Sequence, residues 1–213
     1  MKEKLVMVGA GPHAVSVMDI AIDECGYDVV GCIDRDMSKI VLGIPVIGND
    51  EMLPEIFRSG VRCFFVAMGN NQLREKLFKY CMEIGMEPAN IISTSAQISR
   101  WAKLGKGICV LRNSVVHTQA EVGDNCIINT GATVDHDCNI GETCHISVGA
   151  HICGSVRIGA GTLVGPGSVI RDGVSVGENT VIGMGASVVC DIPAGVMAYG
   201  VPAKVVDKKR SFK

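Results

Sequence analysis

The chain of 213 residues carries a formal net charge of −2, and 47% of its residues are hydrophobic although only 4% are aromatic. This length suffices for one large domain or two small ones without disulfide bridges. The balanced charge provides no basic surface for nucleic acid or an anionic membrane. Because no apolar run approaches the roughly 20 residues of a membrane span, we expect a soluble, cytoplasmic protein. The ten cysteines include no Cys-x-x-Cys pair, so we expect free thiols.

The first ninety residues alternate between predicted strands and predicted helices. Strands are expected over 5–8, 29–33 and 61–67, a helix follows the Gly-rich turn after the first strand, and another helix is expected over 72–84. This alternation predicts a small parallel α/β sheet with a ligand site at the carboxyl ends of its strands, where Gly11, Asp34 and Gly69 fall. A turn that opens a helix can bind phosphate through backbone amides. The third glycine of a dinucleotide fingerprint is missing, so NAD is not expected.

A period of six organises residues 98–193. Every sixth residue from Ile98 to Val188 is aliphatic, and the residue two positions earlier is usually small or β-branched. A spacing of two places both residues on the same side of a strand. The slot three residues after each aliphatic is mostly Gly, Asn or Asp, which favours a corner with left-handed backbone. Glycines also recur every eighteen residues from Gly105 to Gly177, so three hexads complete one coil of a triangular β-prism.

The outward-facing residues distinguish the three sides of this prism. They are apolar on the first side, mixed on the second and polar on the third. Read down the chain, the first side carries Cys109, Ile127, His145, Leu163 and Val181; the second carries Val115, Thr133, His151, Val169 and Ser187; the third carries Lys103, Glu121, Asn139, Arg157 and Ser175. An exposed apolar column marks an interface. We therefore expect a cyclic homotrimer in which the first side of each prism meets the second side of its neighbour.

The sequence Asp135-His136-Asp137 is where carboxylates flank a histidine. It falls at the corner between the second and third sides. The local sequence fits either a solvated corner histidine or a catalytic one. In the expected trimer, this corner borders the groove between subunits, and His145 projects from the facing first side. An interfacial groove with histidines from two chains favours an active site.

Taken together, these features resemble the NeuD/PglD-type sugar acetyltransferases. The motifs that carry the resemblance are residues 9–13, Asp34, residues 69–71, Asn129-Thr130, residues 135–137, residues 145–150 and residues 200–204. The resemblance implies a small Rossmann-like α/β N-terminal domain followed by an all-β left-handed parallel β-helix. We expect a nucleotide-sugar-binding domain at 1–90, a linker at 91–97, the β-helix at 98–193 and a C-terminal tail at 194–213.

The resemblance also implies residue roles. His136 would be the general base, Asp137 would orient it, and His145 would lie near the acetyl-CoA thioester. Acetyl-CoA, as co-substrate and without a metal, would lie against Gly165, Pro166, Gly183 and Met184. The nucleotide sugar would contact Gly11, Pro12, His13, Asp34, Arg35 and Gly69. Pro12 departs from the family pattern because proline has no amide to donate to a phosphate. The basic residues Lys204, Lys208, Lys209 and Arg210 are either CoA-phosphate contacts or a solvated terminus.

The implied activity is acetyl transfer to the amino group of a UDP-4-amino-sugar type substrate in bacterial surface glycan or glycoprotein sugar biosynthesis. An alternative is O-acetylation of sialic acid or another sugar. A non-catalytic alternative is a trimeric nucleotide-binding module. The γ-class carbonic anhydrases also use this prism, but they bind zinc with histidines of which two are five residues apart. Since no two of His117, His136, His145 and His151 have that spacing, zinc is not expected.

Overall fold

In a computed structural model, which describes residues 2–206, the chain divides into two compact units. The first comprises the residues up to 94 together with 106–109. The second comprises 95–105 and the residues from 110 onward.

The first unit is a mixed sheet with helices. In chain order its elements are β1 (Lys4–Val8), α1 (Pro12–Asp23), β2 (Asp28–Ile33), β3 (Ile40–Val41), β4 (Ile44–Gly48), a 3₁₀ turn (Asp50–Met52), α2 (Leu53–Arg58), β5 (Cys63–Val66), α3 (Asn71–Ile84), β6 (Glu87–Pro88) and β7 (Ile91–Ile92). The strand order is β3-β4-β2-β1-β5-β6. All neighbours are parallel except β3 and β4.

The strand β1 lies between β2 and β5, which explains why its residues 5–8 are apolar and completely buried. The helix α1 begins with Pro12 directly after Gly11, a position where proline loses no hydrogen bond. The helix α3 begins at the cap Asn70, whose side chain accepts a hydrogen bond from the Leu73 amide, and ends at the left-handed Gly85. The predicted alternation is confirmed, and the loops after β1, β2 and β5 share one edge of the sheet.

The second unit is built from two-residue strands spaced six residues apart. They are β8 (Gln97–Ile98), β9 (Lys103–Leu104), β10 (Cys109–Val110), β11 (Val115–Val116), β12 (Glu121–Val122), β13 (Ile127–Ile128), β14 (Thr133–Val134), β15 (Asn139–Ile140), β16 (His145–Ile146), β17 (His151–Ile152), β18 (Arg157–Ile158), β19 (Leu163–Val164), β20 (Val169–Ile170), β21 (Ser175–Val176), β22 (Val181–Ile182) and β23 (Ser187–Val188), followed by β24 (Met197–Tyr199) and β25 (Lys204–Val206).

From β8 to β20, each strand of the prism pairs in parallel with the strand eighteen residues further on. The second side is the sheet β8-β11-β14-β17-β20-β23, the third is β9-β12-β15-β18-β21, and on the first side β13, β16, β19 and β22 continue into β24 and β25. The predicted three-sided parallel β-helix is confirmed. Its interior has room for one aliphatic and one small residue per side, so aromatic rings are excluded by width.

The repeats of six and eighteen have separate physical causes. The aliphatic residues from Val110 to Val188 are buried inside the prism. The glycines spaced by eighteen lie where successive coils stack. A Cβ atom on Gly141, for example, would lie 2.6 Å from the amide nitrogen of Ala160. Cys126 and Cys138 fill inward slots, and each thiol donates a hydrogen bond of 3.0 Å to a backbone carbonyl oxygen.

The residues at the corners, three positions after each aliphatic, adopt a left-handed backbone more regularly than their residue types predict. Gln119, Thr143 and Ser155 are neither Gly, Asn nor Asp, yet they adopt φ values of 58°, 57° and 60°. A left-handed conformation costs such residues roughly 1–2 kcal/mol. They adopt it because the flanking strands must pair with coils on both sides, so closure of the coil overrides the local preference.

Candidate active site

The corner between the second and third sides holds a histidine–carboxylate pair. Asp137 has the left-handed φ of 58°, and its Oδ2 lies 2.8 Å from Nδ1 of His136. Since an ionised carboxylate can only accept a hydrogen bond, Nδ1 carries the proton, and Nε2 keeps a lone pair. The hydrogen bond to Asp137 raises the pKa of His136, and the charges of Asp135 and Asp172 add to this effect. The pair is half-exposed and has the composition of a general base with its orienting group.

The His136 ring lies directly over Gly154, one coil further on. A Cβ atom on Gly154 would be 2.6 Å from both Cε1 and Nε2 of the ring. The backbone of Gly154 is not left-handed, so the turn itself does not require glycine there. The Gly154 amide donates a hydrogen bond of 2.9 Å to Oδ1 of Asp172. The absence of a side chain at residue 154 therefore leaves room for the imidazole.

His145 lies on the first side, in β16, and Asn129 fixes its tautomer. The Thr130 amide donates to Oδ1 of Asn129 over 2.8 Å, which directs the Asn129 amide group toward Nε2 of His145 at 3.1 Å. Because the Asn129 nitrogen can only donate, Nε2 of His145 is the acceptor, and the imidazole is neutral with its proton on Nδ1.

The residues predicted to contact CoA lie along the corner between the first and second sides. Successive coils are joined there by backbone hydrogen bonds, such as the 2.8 Å bond from the Gly185 amide to the Pro166 carbonyl. A Cβ atom on Gly165 would lie 2.7 Å from the Ile182 carbonyl oxygen, so the coils approach closely at this point. The side chain of Met184 is 77% exposed and Val148 is 50% exposed. This corner is therefore a ridge with exposed apolar groups.

Within one chain, the structure does not bring His136 and His145 together. His136 follows β14 of the second side, at the corner that leads to the third side, whereas His145 projects from β16 of the first side. The prediction that both histidines serve one site therefore requires a second copy of the chain, and it stays a prediction.

In the first unit, Asp34 joins the loops at the carboxyl edge of the sheet. Its Oδ2 accepts a hydrogen bond of 3.0 Å from the Ala10 amide, and its Oδ1 accepts bonds from the Asp36 amide at 3.1 Å and from Nζ of Lys39 at 3.0 Å. Partial burial opposes ionisation of Asp34, but these hydrogen bonds outweigh it and lower the pKa of the carboxyl. The ionised carboxylate holds the Gly-rich turn against the end of β2.

His13 is neutral near physiological pH, because burial and then the charge of Arg74 lower its pKa to about 4. Arg74 belongs to α3 and is only 1% exposed. Its Nη1 donates to the carbonyl oxygen of Met68 over 3.0 Å and to that of Gly69 over 3.5 Å, so the arginine supports the loop after β5.

A cavity of about 240 Å³ opens at this edge, lined by Asp34, Arg35, Asp50, Met68, Leu73 and Leu77. A Cβ atom on Gly11 or Gly69 would meet nothing within 4 Å, so both glycines face open space. Pro12 occupies the first turn of α1, as its missing amide requires. The loops that carry the predicted nucleotide-sugar residues thus share one edge of the sheet, beside a cavity lined by both charged and apolar side chains.

Sequence reasoning missed Gly154, Arg74 and Asp50. The repeat of eighteen could have found Gly154, since it occupies the slot of His136 in the next coil. No comparable signal exists for Arg74, because a charged residue in a helix is ordinarily expected on the surface. Asp50 follows β4, and its place in the cavity depends on the strand order.

Among residues 2–206, no group of three or more His, Cys, Asp or Glu side chains is arranged to hold a metal ion. Within the same residues no helix is long and apolar enough to cross a membrane. Of the basic residues near the carboxyl terminus, Lys204 begins β25. Lys208, Lys209 and Arg210 lie outside the described residues.

Comparison with family models matches both units. Residues 4–81 match the PglD N-terminal domain. Residues 137–172 and 155–190 match the bacterial transferase hexapeptide repeat.

Solved structures match along nearly the whole chain. The structure of PerB from Caulobacter crescentus, in complex with CoA and GDP-perosamine, is 38% identical over 96% of this chain and 97% of that chain, with a TM-score of 0.93. Variants of that perosamine N-acetyltransferase with a single histidine replaced also match. The acetyltransferase domain of PglB from Neisseria gonorrhoeae, in complex with acetyl coenzyme A, is 35% identical over 97% of this chain and all of that chain, with a TM-score of 0.89.

One curated relative, the uncharacterized protein L142 of Acanthamoeba polyphaga mimivirus, is 33% identical over 123 residues. The match spans 57% of this chain and only 24% of the viral protein.

Proposed function

Because the chain belongs to the PglD-type family of hexapeptide-repeat sugar N-acetyltransferases, we propose that it transfers the acetyl group of acetyl-CoA to the amino group of a nucleotide-linked amino sugar. The first unit binds the nucleotide at the carboxyl edge of its sheet, and the prism supplies the catalytic histidine and the CoA site. The reaction takes place in the cytoplasm, where acetyl-CoA and nucleotide sugars are made.

The observation that carries this proposal is the 2.8 Å contact between Nδ1 of His136 and Oδ2 of Asp137. With Nδ1 protonated, Nε2 accepts a proton from the sugar amine as its nitrogen attacks the thioester carbonyl. The C–N bond forms, the C–S bond breaks, and the CoA sulfur leaves with the proton that His136 carries. General-base assistance of this kind contributes about 10²–10⁴-fold in rate, and positioning of the two substrates contributes further.

We propose that the site is shared between two chains of a homotrimer. The supporting observation is the separation of His136 and His145 on one prism, together with the exposed apolar corner beside the first side. When the first side of one prism meets the second side of its neighbour, His145 of one chain faces the corner that carries His136 of the other. CoA then follows the corner of Gly165, Pro166, Gly183 and Met184.

Subunit mixing tests the shared site. His136→Ala and His145→Ala homotrimers should each be nearly inactive. Trimers assembled from a mixture of the two variants should regain part of the activity, because some interfaces then combine both native histidines. Absence of any regain in mixed trimers, verified by mass spectrometry, would show that one chain supplies both residues, and an active His145→Ala homotrimer would show that His145 is not needed.

The function itself is tested by release of CoA from acetyl-CoA in the presence of UDP-, GDP- and dTDP-linked 4-amino sugars and of free sialic acid. We expect turnover with an amino sugar, and a loss of about 10²–10⁴-fold in the His136→Ala variant with an unchanged melting temperature. Acetylation of sialic acid alone would identify an O-acetyltransferase. Nucleotide binding without CoA release from any acceptor would identify a binding module.

A further inference from the structure

The cavity at the carboxyl edge of the first unit carries two charged side chains that the fold itself does not use. Arg35 follows β2 and Asp50 follows β4, and both line the cavity of about 240 Å³. Within residues 2–206, neither side chain makes a hydrogen bond or an ion pair, with the other or with a third residue. Both oxygens of Asp34, the other carboxylate in the cavity, already accept hydrogen bonds. Asp50 is therefore the carboxylate that remains available to a ligand.

The turn that carries Asp50 is fixed without a ligand. Oδ1 of Asn49 caps this turn by accepting a 3.1 Å hydrogen bond from the Glu51 amide. The charge of Asp50 acts on the completely buried thiol of Cys81, where it adds to the effect of burial in raising the pKa of the thiol to about 12. The carboxylate therefore lies close to the interior of the unit and not only against bulk water.

The rest of the cavity lining is apolar and consists of Met68, Leu73 and Leu77. The volume of about 240 Å³ is below the roughly 300–1,000 Å³ of pockets that enclose a drug-sized ligand. The cavity therefore suits one ring system of a nucleotide sugar and not the whole molecule. A heterocyclic base has apolar faces and a polar edge, which matches a lining of apolar side chains with two charged groups.

The bases differ in what they offer to a carboxylate and a guanidinium. An ionised carboxylate only accepts hydrogen bonds, and a guanidinium only donates them. Guanine presents two adjacent donors, N1–H and the N2 amino group, and two adjacent acceptors, O6 and N7. Uracil and thymine have a single N3–H between two carbonyl oxygens, which a carboxylate repels. Adenine and cytosine place one amino group beside an unprotonated ring nitrogen. Guanine is therefore the base that satisfies both oxygens of a carboxylate.

We propose that Asp50 selects guanine by accepting hydrogen bonds from N1–H and the N2 amino group, with Arg35 as the donor available to O6 and N7. The amino-sugar substrate is then linked to GDP, in place of the UDP-linked sugar that the sequence resemblance implies. The identity of the sugar rests on the proposed function, whereas the base is read by side chains of the first unit alone.

The test is calorimetric titration of the full-length chain with GDP, UDP, dTDP, inosine diphosphate and xanthosine diphosphate. Inosine lacks the N2 amino group, and xanthine carries a carbonyl oxygen in its place. The native chain should bind GDP at least about tenfold more tightly than each of the others, since a bidentate pair to a base gives discrimination of this order.

Asp50→Asn replaces one carboxylate oxygen with an amide nitrogen that donates a hydrogen bond to the xanthine carbonyl. We expect the preference to reverse, so that this variant binds xanthosine diphosphate more tightly than GDP. Such a gain of binding cannot come from a misfolded chain. The matched control is Glu51→Gln, which removes the charge of a neighbouring exposed carboxylate that does not line the cavity and should leave the native order unchanged.

The outcomes separate the base assignment from the proposed function. Equal affinity of the native chain for GDP and inosine diphosphate, tighter binding of UDP or dTDP, or an Asp50→Asn variant that keeps the native order would overturn the role of Asp50. Release of CoA with a UDP-linked amino sugar but not with its GDP-linked counterpart would also overturn it, while the proposed function stands. Selective GDP binding without CoA release from any GDP-linked amino sugar would support the base assignment, while the proposed function fails.

Discussion

Gly154→Ala tests whether the proposed catalytic role of His136 depends on the space that Gly154 leaves for its imidazole ring. The new Cβ atom would lie 2.6 Å from Cε1 and Nε2 of His136, whereas ordinary van der Waals contact begins at 3.4 Å. The ring must therefore move by about 1 Å, since the backbone on both sides is tied into the coils. A displacement of about 1 Å costs on the order of 10²-fold in kcat, equivalent to about 2.7 kcal/mol of transition-state stabilisation.

The fold should tolerate this change. Gly154 has no left-handed backbone, and the same slot in neighbouring coils holds Thr118 and Asp172. CoA release should be measured by chromatography, because the free cysteines of the protein would react with thiol reagents. We expect kcat to fall while the melting temperature and CoA binding stay unchanged. Cys190→Ala, a change in the same slot two coils further on, is the control. A normal kcat for Gly154→Ala would refute the argument that the ring needs this space.

Three further predictions concern the partners of the functional side chains. Asp137→Asn replaces the charged acceptor of the hydrogen bond that raises the pKa of His136 with a neutral amide. The acid limb of kcat/KM should therefore move to lower pH while the maximal rate falls, and an unmoved limb would contradict the pairing. Asn129→Ala frees His145 to change tautomer, so KM for acetyl-CoA should rise with little change in kcat, and an unchanged KM would separate His145 from CoA. Arg74→Met leaves two carbonyl groups without their donor and should lower the free energy of unfolding by about 1–3 kcal/mol, measured by urea denaturation; a stability equal to that of the native chain would contradict the support assigned to this arginine.

The architecture of the prism could be predicted from the sequence because the residue types that it requires recur at fixed intervals along the chain. Coils that stack at every eighteenth residue demand an aliphatic residue at fixed positions from Ile98 to Val188 and a glycine wherever two backbones touch, as at Gly141. The left-handed backbone at Gln119 and Thr143 could not be predicted from the residue types. Pairing with the coils on both sides imposes that conformation on any residue at a corner. In the first unit, β1, β2 and β5 were predicted because they are largely buried and continuously apolar, whereas the strands β3, β4, β6 and β7 were not predicted.

The pairing of His136 with Asp137 was also predictable, because the two residues are adjacent in the chain and lie at a corner. Contacts that depend on the spatial arrangement were not. The space that Gly154 leaves for the His136 ring appears only when one coil is placed on the next. Arg74 is buried because the loop after β5 folds over the start of α3, and no local pattern encodes that contact.

The chemical identity of the product tests the central claim most directly. Native enzyme should be incubated with acetyl-CoA and a nucleotide-linked 4-amino sugar, and the product examined by mass spectrometry and NMR. The account predicts that one acetyl group is added and that it is attached to the sugar nitrogen as an amide, in an amount equal to the CoA released. An acetyl group on a sugar hydroxyl, or an unmodified sugar with acetyl-CoA intact, would contradict it.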